Sequence, residues 1–165
     1  MSSLINHNVS IITVKKDDKL YGMTCAWIMQ CGYTELLALV GSQSVIGEQI
    51  KENDIVGVNI LSKNQKELAV LFGEKHSNEI DKFKRIDFEI KDSAVLFPLS
   101  CNKMVCKVKE ILHLEGIEED NLLYLEVMSK LKRKDAYCRL RSNRFYVEGS
   151  RRSRRKSWRF LLLVE

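Results

Sequence analysis

Short runs of apolar and β-branched residues recur along this chain, and the stretches between them are polar or turn-forming. A single proline and eight glycines give little sign of an interdomain linker. The spacing of the runs suits a closed antiparallel barrel, so the sequence predicts a mainly β fold with short helices. The predicted strands cover residues 9–14, 20–30, 36–40, 55–60, 94–97, 103–112 and 122–131.

The first two predicted strands are joined by the polar segment 15–19, in which Asp17 and Asp18 tolerate turn geometry. This predicts a hairpin that places residues 24–30 in the middle of the sheet. Two helices are predicted between the strands, at about 45–52 and at 63–72. The second begins with the capping-box pattern Ser-Lys-Asn-Gln and is expected to stop at Gly73.

The size and the motifs narrow the choice of fold further. With 165 residues, of which 45% are apolar, the chain has the size and the core of one ordinary domain. The order of elements does not fit a Rossmann βαβ arrangement. Neither G-x-G-x-x-G nor G-x-x-x-x-G-K-[ST] occurs, which removes the usual dinucleotide and P-loop interpretations.

No apolar run approaches the roughly 20 residues of a membrane-spanning helix, and the first residues lack a signal-peptide pattern. We therefore expect a cytoplasmic protein that does not bind membranes. The five cysteines contain no C-x-x-C pair, which favours reduced, mostly buried thiols over disulfides or a zinc site. They are Cys25, Cys31, Cys101, Cys106 and Cys138.

Charge is distributed unevenly along the chain. Residues 1–129 carry a net charge of −5, whereas residues 130–165 carry +10. The basic run 149–159 could screen phosphates, and Trp158 could stack on a base, as in a nucleic-acid-binding segment. Alternatively, residues 150–165 form a solvated, partly disordered or non-native tail after a domain that covers residues 1–149.

The stretch from Gly22 to Gln30, G-M-T-C-A-W-I-M-Q, combines small and hydroxyl-bearing residues. Such residues let the backbone approach a phosphate-bearing cofactor closely. The loop 41–44 leads into the first predicted helix, whose free amides and dipole favour an anion. Ser44 is equally suited to be a plain N-cap there.

Four segments together resemble the flavin reductase-like family, the FMN-binding split barrels, and most closely its flavoredoxin and rubredoxin-fused flavin reductase branch. They are residues 22–30, the strand V-G-V-N-I-L at 56–61, the helix end L-F-G at 71–73, and S-N-E-I-D-K-F at 77–83. The resemblance implies a Greek-key antiparallel barrel and a homodimer with FMN at the subunit interface. It also implies that the second strand and the loop after the third hold the phosphate and ribityl chain.

The cofactor-binding residues that follow from the resemblance and from the helix start are Thr24, Cys25, Ala26, Trp27, Gln30, Gly41, Ser42, Gln43, Ser44 and Lys82. Each has a structural alternative. Thr24 could be an ordinary strand residue, Cys25 a small apolar one, and Trp27 part of the core or the dimer interface. Gln30 could face water, and Lys82 could be a solvated surface lysine.

Three departures from the family pattern concern the flavin ring. The family's D-P-P or E-P-P turn before the third strand is replaced by Y-T-E-L-L at 33–37. A Thr-His pair at the start of the following helix is replaced by Ile46 and Gly47, and E-E-D-N-L at 118–122 stands where G-D-H often precedes the last barrel strand. These changes predict an altered ring side of the pocket.

The expected chemistry needs no protein nucleophile, because a flavin accepts hydride itself and passes electrons on. His7, His76 and His113 have no ligand or triad spacing, and no metal site is expected. The sequence thus predicts an NAD(P)H-dependent flavin reductase that passes electrons to flavin, a metal complex or a redox protein partner. A non-enzymatic FMN electron carrier and a nucleic-acid binder acting through the tail are the alternatives.

Overall fold

The computed structural model describes residues 7–75, 80–132, 141–142, 144–147 and 160–163. Several sequence predictions lie outside these ranges: the S-N-E part of the D-K-F match at 77–79, Cys138, and most of the basic tail with Trp158. Within the described ranges the chain is mainly β, as predicted. The strands are β1 (His7–Asn8), β2 (Ser10–Lys16), β3 (Lys19–Cys25), β4 (Ile28–Gln30), β5 (Glu35–Gly41), β6 (Ile55–Ile60), β7 (Glu89–Lys91), β8 (Ala94–Leu96), β9 (Asn102–Leu112), β10 (Asp120–Lys132), β11 (Arg141–Ser142), β12 (Arg144–Val147) and β13 (Phe160–Leu163).

Both predicted helices are present, with shifted ends. The first, α1, covers Val45–Gln49 and is shorter than predicted, because the chain turns to extended backbone at Ile50. The second starts as a 3-10 turn at Lys63–Gln65 with the predicted capping box, and continues as α2 over Lys66–Glu74. Gly73 lies inside α2, so the prediction that it ends the helix is wrong. Neither helix, nor any other in the described ranges, is long and apolar enough to cross a membrane.

Seven strands form one antiparallel sheet in the order β3-β2-β6-β9-β10-β5-β4. β1 pairs with β11, β7 with β8, and β12 with β13, so part of the C-terminal tail forms a short strand. The sheet order confirms an antiparallel barrel. Among the described residues, β3 and β4 each pair with one neighbour only, so the seven-stranded sheet is open and does not form the predicted closed barrel.

The predicted second strand is broken into two at Ala26 and Trp27, and its halves occupy the two edges of the sheet rather than the middle. The break occurs because β2 begins at Ser10, the register partner of Cys25, so the chain beyond Cys25 must find another strand to pair with. It pairs with β5 instead. The two residues of the break therefore join the opposite edges, which requires the sheet to curl into a split barrel.

Two large apolar clusters lie on opposite faces of the curled sheet. The barrel interior holds residues from every strand of the sheet, together with Ile46 of α1 and Ile50, which follows the helix. On the outer face of β2 and β3, the helix α2 and residues 83–97 cover a second cluster centred on Phe72, Phe83 and Phe97. The outer cluster fixes where α2 lies relative to β3.

The strand β8 crosses the outer face of β2 and β6, and side chains rather than a ladder hold its backbone there. Thr13 Oγ1 donates to the Val95 carbonyl at 2.6 Å and accepts from the Val95 amide at 3.2 Å. Asn59 Nδ2 donates to the same carbonyl at 3.0 Å, and Asn59 Oδ1 accepts from the Phe97 amide at 2.9 Å. Gly57 lies directly below this crossing, so the V-G-V-N-I-L segment has a structural role in the described fold.

Candidate functional site

The predicted cofactor segments converge on a four-residue stretch of β3, from Gly22 to Cys25. Lys82 Nζ lies 3.1 Å from the Gly22 carbonyl. Ser44 Oγ lies 3.6 Å from Met23 Sδ, and Cys25 Sγ lies 3.2 Å from the Leu39 carbonyl. Segments up to 60 residues apart in sequence are thus brought to one edge strand.

Thr24 is buried and its hydroxyl has a partner. Thr24 Oγ1 donates to the Ala69 carbonyl of α2 at 2.6 Å, so the side chain points under the helix. Thr24 therefore ties β3 to α2, and its hydroxyl faces the helix.

Cys25 is a buried thiol with the character of a small core residue. Burial, the largest cause, raises its pKa from 9.0 to about 12, and the Asp120 carboxylate adds to the rise. Burial likewise raises the pKa of Cys106 to about 12. A thiolate is therefore disfavoured at both positions at neutral pH. Of the described cysteines, Cys101 is also buried and Cys31 is exposed, so the prediction of mostly buried free thiols is confirmed for these four.

The residues after the strand break point in different directions. Ala26 joins the outer cluster under α2, whereas the Trp27 side chain is 43% exposed and its carbonyl accepts from the Leu39 amide at 2.9 Å. Gln30 is exposed, and its Nε2 donates to the Gly32 carbonyl at 2.7 Å in the turn that follows β4. Of these three, Trp27 alone offers a large apolar surface beside the β3 edge.

The loop from Gly41 to Ser44 is closed by its own hydrogen bonds. Ser44 caps α1: its Oγ accepts from the Gly47 amide at 2.9 Å and donates to the Gly41 carbonyl at 2.6 Å. Ser42 donates through both its amide and its hydroxyl to the Glu119 carbonyl, at 3.2 and 2.8 Å. Gln43 is exposed at the tip. The loop is rigidly placed next to β3, and the N-cap interpretation of Ser44 is confirmed.

Asp120 places a carboxylate beside this loop, because it is the register partner of Gly41. A Cβ atom added to Gly41 would lie 3.6 Å from Asp120 Oδ1. Burial raises the pKa of Asp120, and the neighbouring Glu119 carboxylate raises it further. A negative charge at this position opposes an anion in the loop, so the loop is a poorer phosphate site than its sequence predicts.

The raised pKa of Asp120 predicts a pH-dependent effect of Asp120→Asn. The folded state disfavours the carboxylate, so the stability of the wild type falls as the pH rises through the pKa of this group. Asp120→Asn should therefore raise the melting temperature at pH 7, and the gain should shrink as the pH is lowered toward the ordinary value of 3.8. Thermal melts between pH 4 and pH 8 measure this.

Glu118, two residues before Asp120 in the segment that leads into β10, supplies a control in which the pKa shift has the opposite sign. The Gly116 amide donates to Glu118 Oε1 at 2.7 Å and lowers the pKa of this exposed carboxyl. Glu118→Gln should lower the melting temperature at pH 7, and its loss should fade toward low pH. The explanation for Asp120 would be wrong if both variants shifted the melting temperature in the same direction.

The D-K-F segment has three structural roles. Asp81 Oδ1 accepts from the Phe83 amide at 3.0 Å, and the Phe83 ring packs edge-on against Phe72, with centroids 5.1 Å apart. Lys82 lies between them and is 4% exposed, so the alternative that it is a solvated surface lysine is wrong. Its ammonium group contacts the Gly22 and Phe72 carbonyls.

A row of apolar side chains covers the outer face of β4, β5 and β10. Alternate residues of β5, Leu36, Ala38 and Val40, face the barrel interior, so Leu37 and Leu39 face outward. Their cross-strand neighbours on the outer face are Trp27, Met29, Leu122 and Tyr124. None of these six side chains belongs to a buried cluster, and Met29 is 59% exposed.

Among the described residues, no group of three or more His, Cys, Asp or Glu side chains is placed to hold a metal ion.

Comparison with known protein families identifies the class. Residues 1–143 match the flavin reductase-like domain, so the chain belongs to this family. The family prediction made from the sequence is therefore confirmed. Comparison with curated protein sequences found no significant match.

Solved structures of similar fold include several flavin reductases. The NADH:FAD oxidoreductase SgcE6 of Streptomyces globisporus shares 17% identity over 81% of this chain and 80% of its own, with a TM-score of 0.73. The flavin reductase PheA2 shares 21% identity over 79% and 82%, with a TM-score of 0.67. BorF, the flavin reductase component of a bacterial two-component tryptophan halogenase, shares 15% identity over 79% and 82%, with a TM-score of 0.70. These similarities show a common fold.

Proposed function

We propose that this protein is an NAD(P)H-dependent flavin reductase that binds FMN along the open edge of β3. The observation that carries the proposal is the convergence of the 41–44 loop, the β5 backbone and Lys82 on Gly22–Cys25. Family membership supplies the flavin chemistry. When bound, the flavin would accept hydride from the nicotinamide and pass the electrons on.

The residues beside this edge suit a flat, largely apolar ring system. Trp27 offers a half-exposed indole, and Met23 of β3 is partly exposed. The loop 41–44 forms the adjacent wall, and its tip residue Gln43 is exposed. In this arrangement the protein orients the flavin and excludes water, and the described side chains contribute no nucleophile. The segment 33–37, which departs from the family pattern, follows Gln30 and leads into β5.

We further propose that the electron acceptor is flavin itself or a flavin-using partner protein. SgcE6 is named an NADH:FAD oxidoreductase, and BorF is named as one component of a two-component halogenase. A reductase that releases reduced flavin needs a reversible site, and an open strand edge provides one. A location in the cytoplasm stays a prediction from the sequence.

An absorption titration tests the proposal. Purified protein should show flavin bands that shift on addition of FMN or FAD, and NADH or NADPH should then be consumed in the same cuvette. Bound flavin without oxidation of either nicotinamide would instead support an electron carrier. A protein that binds neither flavin would contradict both, and retention on heparin that depends on residues 150–165 would then favour the nucleic-acid alternative.

The homodimer is proposed to form through the apolar row on β4, β5 and β10. Leu39 lies at the centre of this row, between Trp27 and Leu122. Burying an unpaired carboxylate there costs several kcal/mol, so Leu39→Glu should weaken dimerisation by roughly 100-fold or more. Sedimentation velocity at micromolar concentration measures the change from dimer to monomer.

Ile90→Glu is the matched control, because Ile90 is 45% exposed on β7, away from the apolar row. It adds the same charge to an exposed apolar position and should leave the dimer intact. If FMN lies at the subunit interface, Leu39→Glu also weakens flavin binding, whereas Ile90→Glu does not. A wild type that is monomeric at all concentrations would contradict the proposed interface.

A further inference from the structure

Lys82 is the one charged side chain that is buried among the residues the structure describes. Its ammonium group lies 3.1 Å from the Gly22 carbonyl and 3.5 Å from the Phe72 carbonyl. The same nitrogen lies 5.3 Å from the centre of the Phe72 ring, a cation–π distance. Burying a charge is costly unless such partners stabilise it, so this arrangement holds Lys82 firmly.

The two carbonyls belong to different elements. Phe72 lies in the last turn of α2, where the helix dipole favours a cation, and Gly22 lies in the middle of β3. Lys82 therefore links the C-terminal end of α2 to the edge strand. The Thr24 hydroxyl makes a second link, two residues further along, to the Ala69 carbonyl of the same helix.

These links matter because, within the described ranges, β3 has a strand partner on one side only. β2 pairs with it through the full register from Lys19 to Cys25, and no described strand forms a ladder with its other side. An edge strand without a second neighbour moves more easily than a central one. The hydrogen bonds of Lys82 and Thr24 join β3 to α2 on the side away from β2.

We infer that Lys82 is a positioning residue, which holds β3 in the geometry that binds flavin, and that it does not bind the cofactor phosphate. The inference rests on the proposed function for the location of the flavin. A phosphate ligand would need the ammonium group to face solvent, whereas here it faces two backbone carbonyls and an aromatic ring. The two roles predict different selectivity between FMN and riboflavin, which lacks the phosphate.

The experiment compares the dissociation constants of FMN and riboflavin for wild type, Lys82→Met and Lys82→Arg. A positioning role predicts that Lys82→Met raises the dissociation constants of both flavins by the same factor. The expected factor is on the order of tenfold, because hydrogen bonds from a charged group are lost. Lys82→Arg should recover part of the loss for both. A phosphate contact predicts that Lys82→Met weakens the binding of FMN alone and leaves the dissociation constant of riboflavin unchanged. This result would overturn the inference.

Thr24→Val provides a second variant in case Lys82→Met folds poorly. It keeps the side-chain volume and removes the other link to α2, so it too should weaken the binding of FMN and of riboflavin equally. Val105→Ala controls for general destabilisation, because Val105 is buried in a separate small cluster with Ala94 and Leu96. It should lower the melting temperature and leave both dissociation constants within about twofold of the wild type, as expected of sites without shared partners.

Peptide hydrogen exchange separates this inference from the proposed function. Lys82→Met should speed exchange in a peptide that covers Lys19–Cys25, and Lys84→Met, at an exposed position, should not. If the wild type binds neither flavin, the proposed function fails, and faster exchange still supports the link between β3 and α2. Unchanged exchange in Lys82→Met would contradict the link itself.

Discussion

Gly57→Ala should lower the free energy of unfolding by about 3 kcal/mol or more, the upper range for overpacking of a tight core. An added Cβ would lie 2.4 Å from Thr13 Oγ1 and 2.5 Å from the Val95 carbonyl oxygen. Both atoms take part in the hydrogen bonds that hold β8 across the sheet, and one of them is backbone. The new methyl group must therefore push β8 away and break those bonds. Urea denaturation measures the loss.

Gly41→Ala is the control for this substitution. The nearest atoms to a Cβ at Gly41 lie 3.6 and 4.0 Å away, which is ordinary van der Waals contact. Gly41→Ala makes the same change in backbone entropy without a clash. Its free energy of unfolding should therefore stay within about 1 kcal/mol of the wild-type value. If the two variants lost the same free energy of unfolding, close packing under Val95 would not explain why position 57 needs a glycine.

Asn59→Leu should lower the free energy of unfolding by about 2–4 kcal/mol, because it leaves buried backbone groups without hydrogen-bond partners. Asn59 is fully buried, and its amide accepts from the Phe97 amide and donates to the Val95 carbonyl. Leucine has a similar volume and can do neither. The Val95 carbonyl keeps its bond from Thr13, so the orphaned Phe97 amide should account for most of the loss.

Asn64→Leu, at an exposed position in the 3-10 turn, is the matched control and should change stability by less than about 0.5 kcal/mol. Flavin affinity is the second measurement for Asn59→Leu. Because Asn59 acts on β8, on the opposite side of β2 from the open edge of β3, the folded variant should bind flavin nearly as the wild type does. A large selective loss of flavin affinity in folded protein would show that Asn59 belongs to the site.

The strands were predictable because their signals are local. Alternation in 36–40 and the polar tip between Lys16 and Lys19 specify strand and turn whatever surrounds them, and both were found. The capping box at Ser62 was equally readable. The end of α2 could not be predicted from the local sequence. Gly73 stays helical because Phe72 and Ala69 pack into the outer cluster, and this packing outweighs the low helix propensity of glycine.

The candidate site was predicted as a set of segments. The resemblance placed residues 22–30, 41–44 and 82 in one site, and the fold brings the first part of that stretch together with the other two. The orientations were beyond the sequence. Nothing local shows that the Thr24 hydroxyl faces Ala69, or that the Lys82 ammonium faces Gly22.

The sequence by itself determined the mainly β class, the first hairpin, the helices and the family, because periodicity, turn chemistry and motif order are properties of short segments. Only the tertiary structure decided that the second strand breaks at Ala26 and that its halves form opposite edges of the sheet. It also decided that Asp120 lies beside the 41–44 loop and that Lys82 is buried. These features depend on which distant segments meet, and contacts between distant residues leave no periodic signal in the chain.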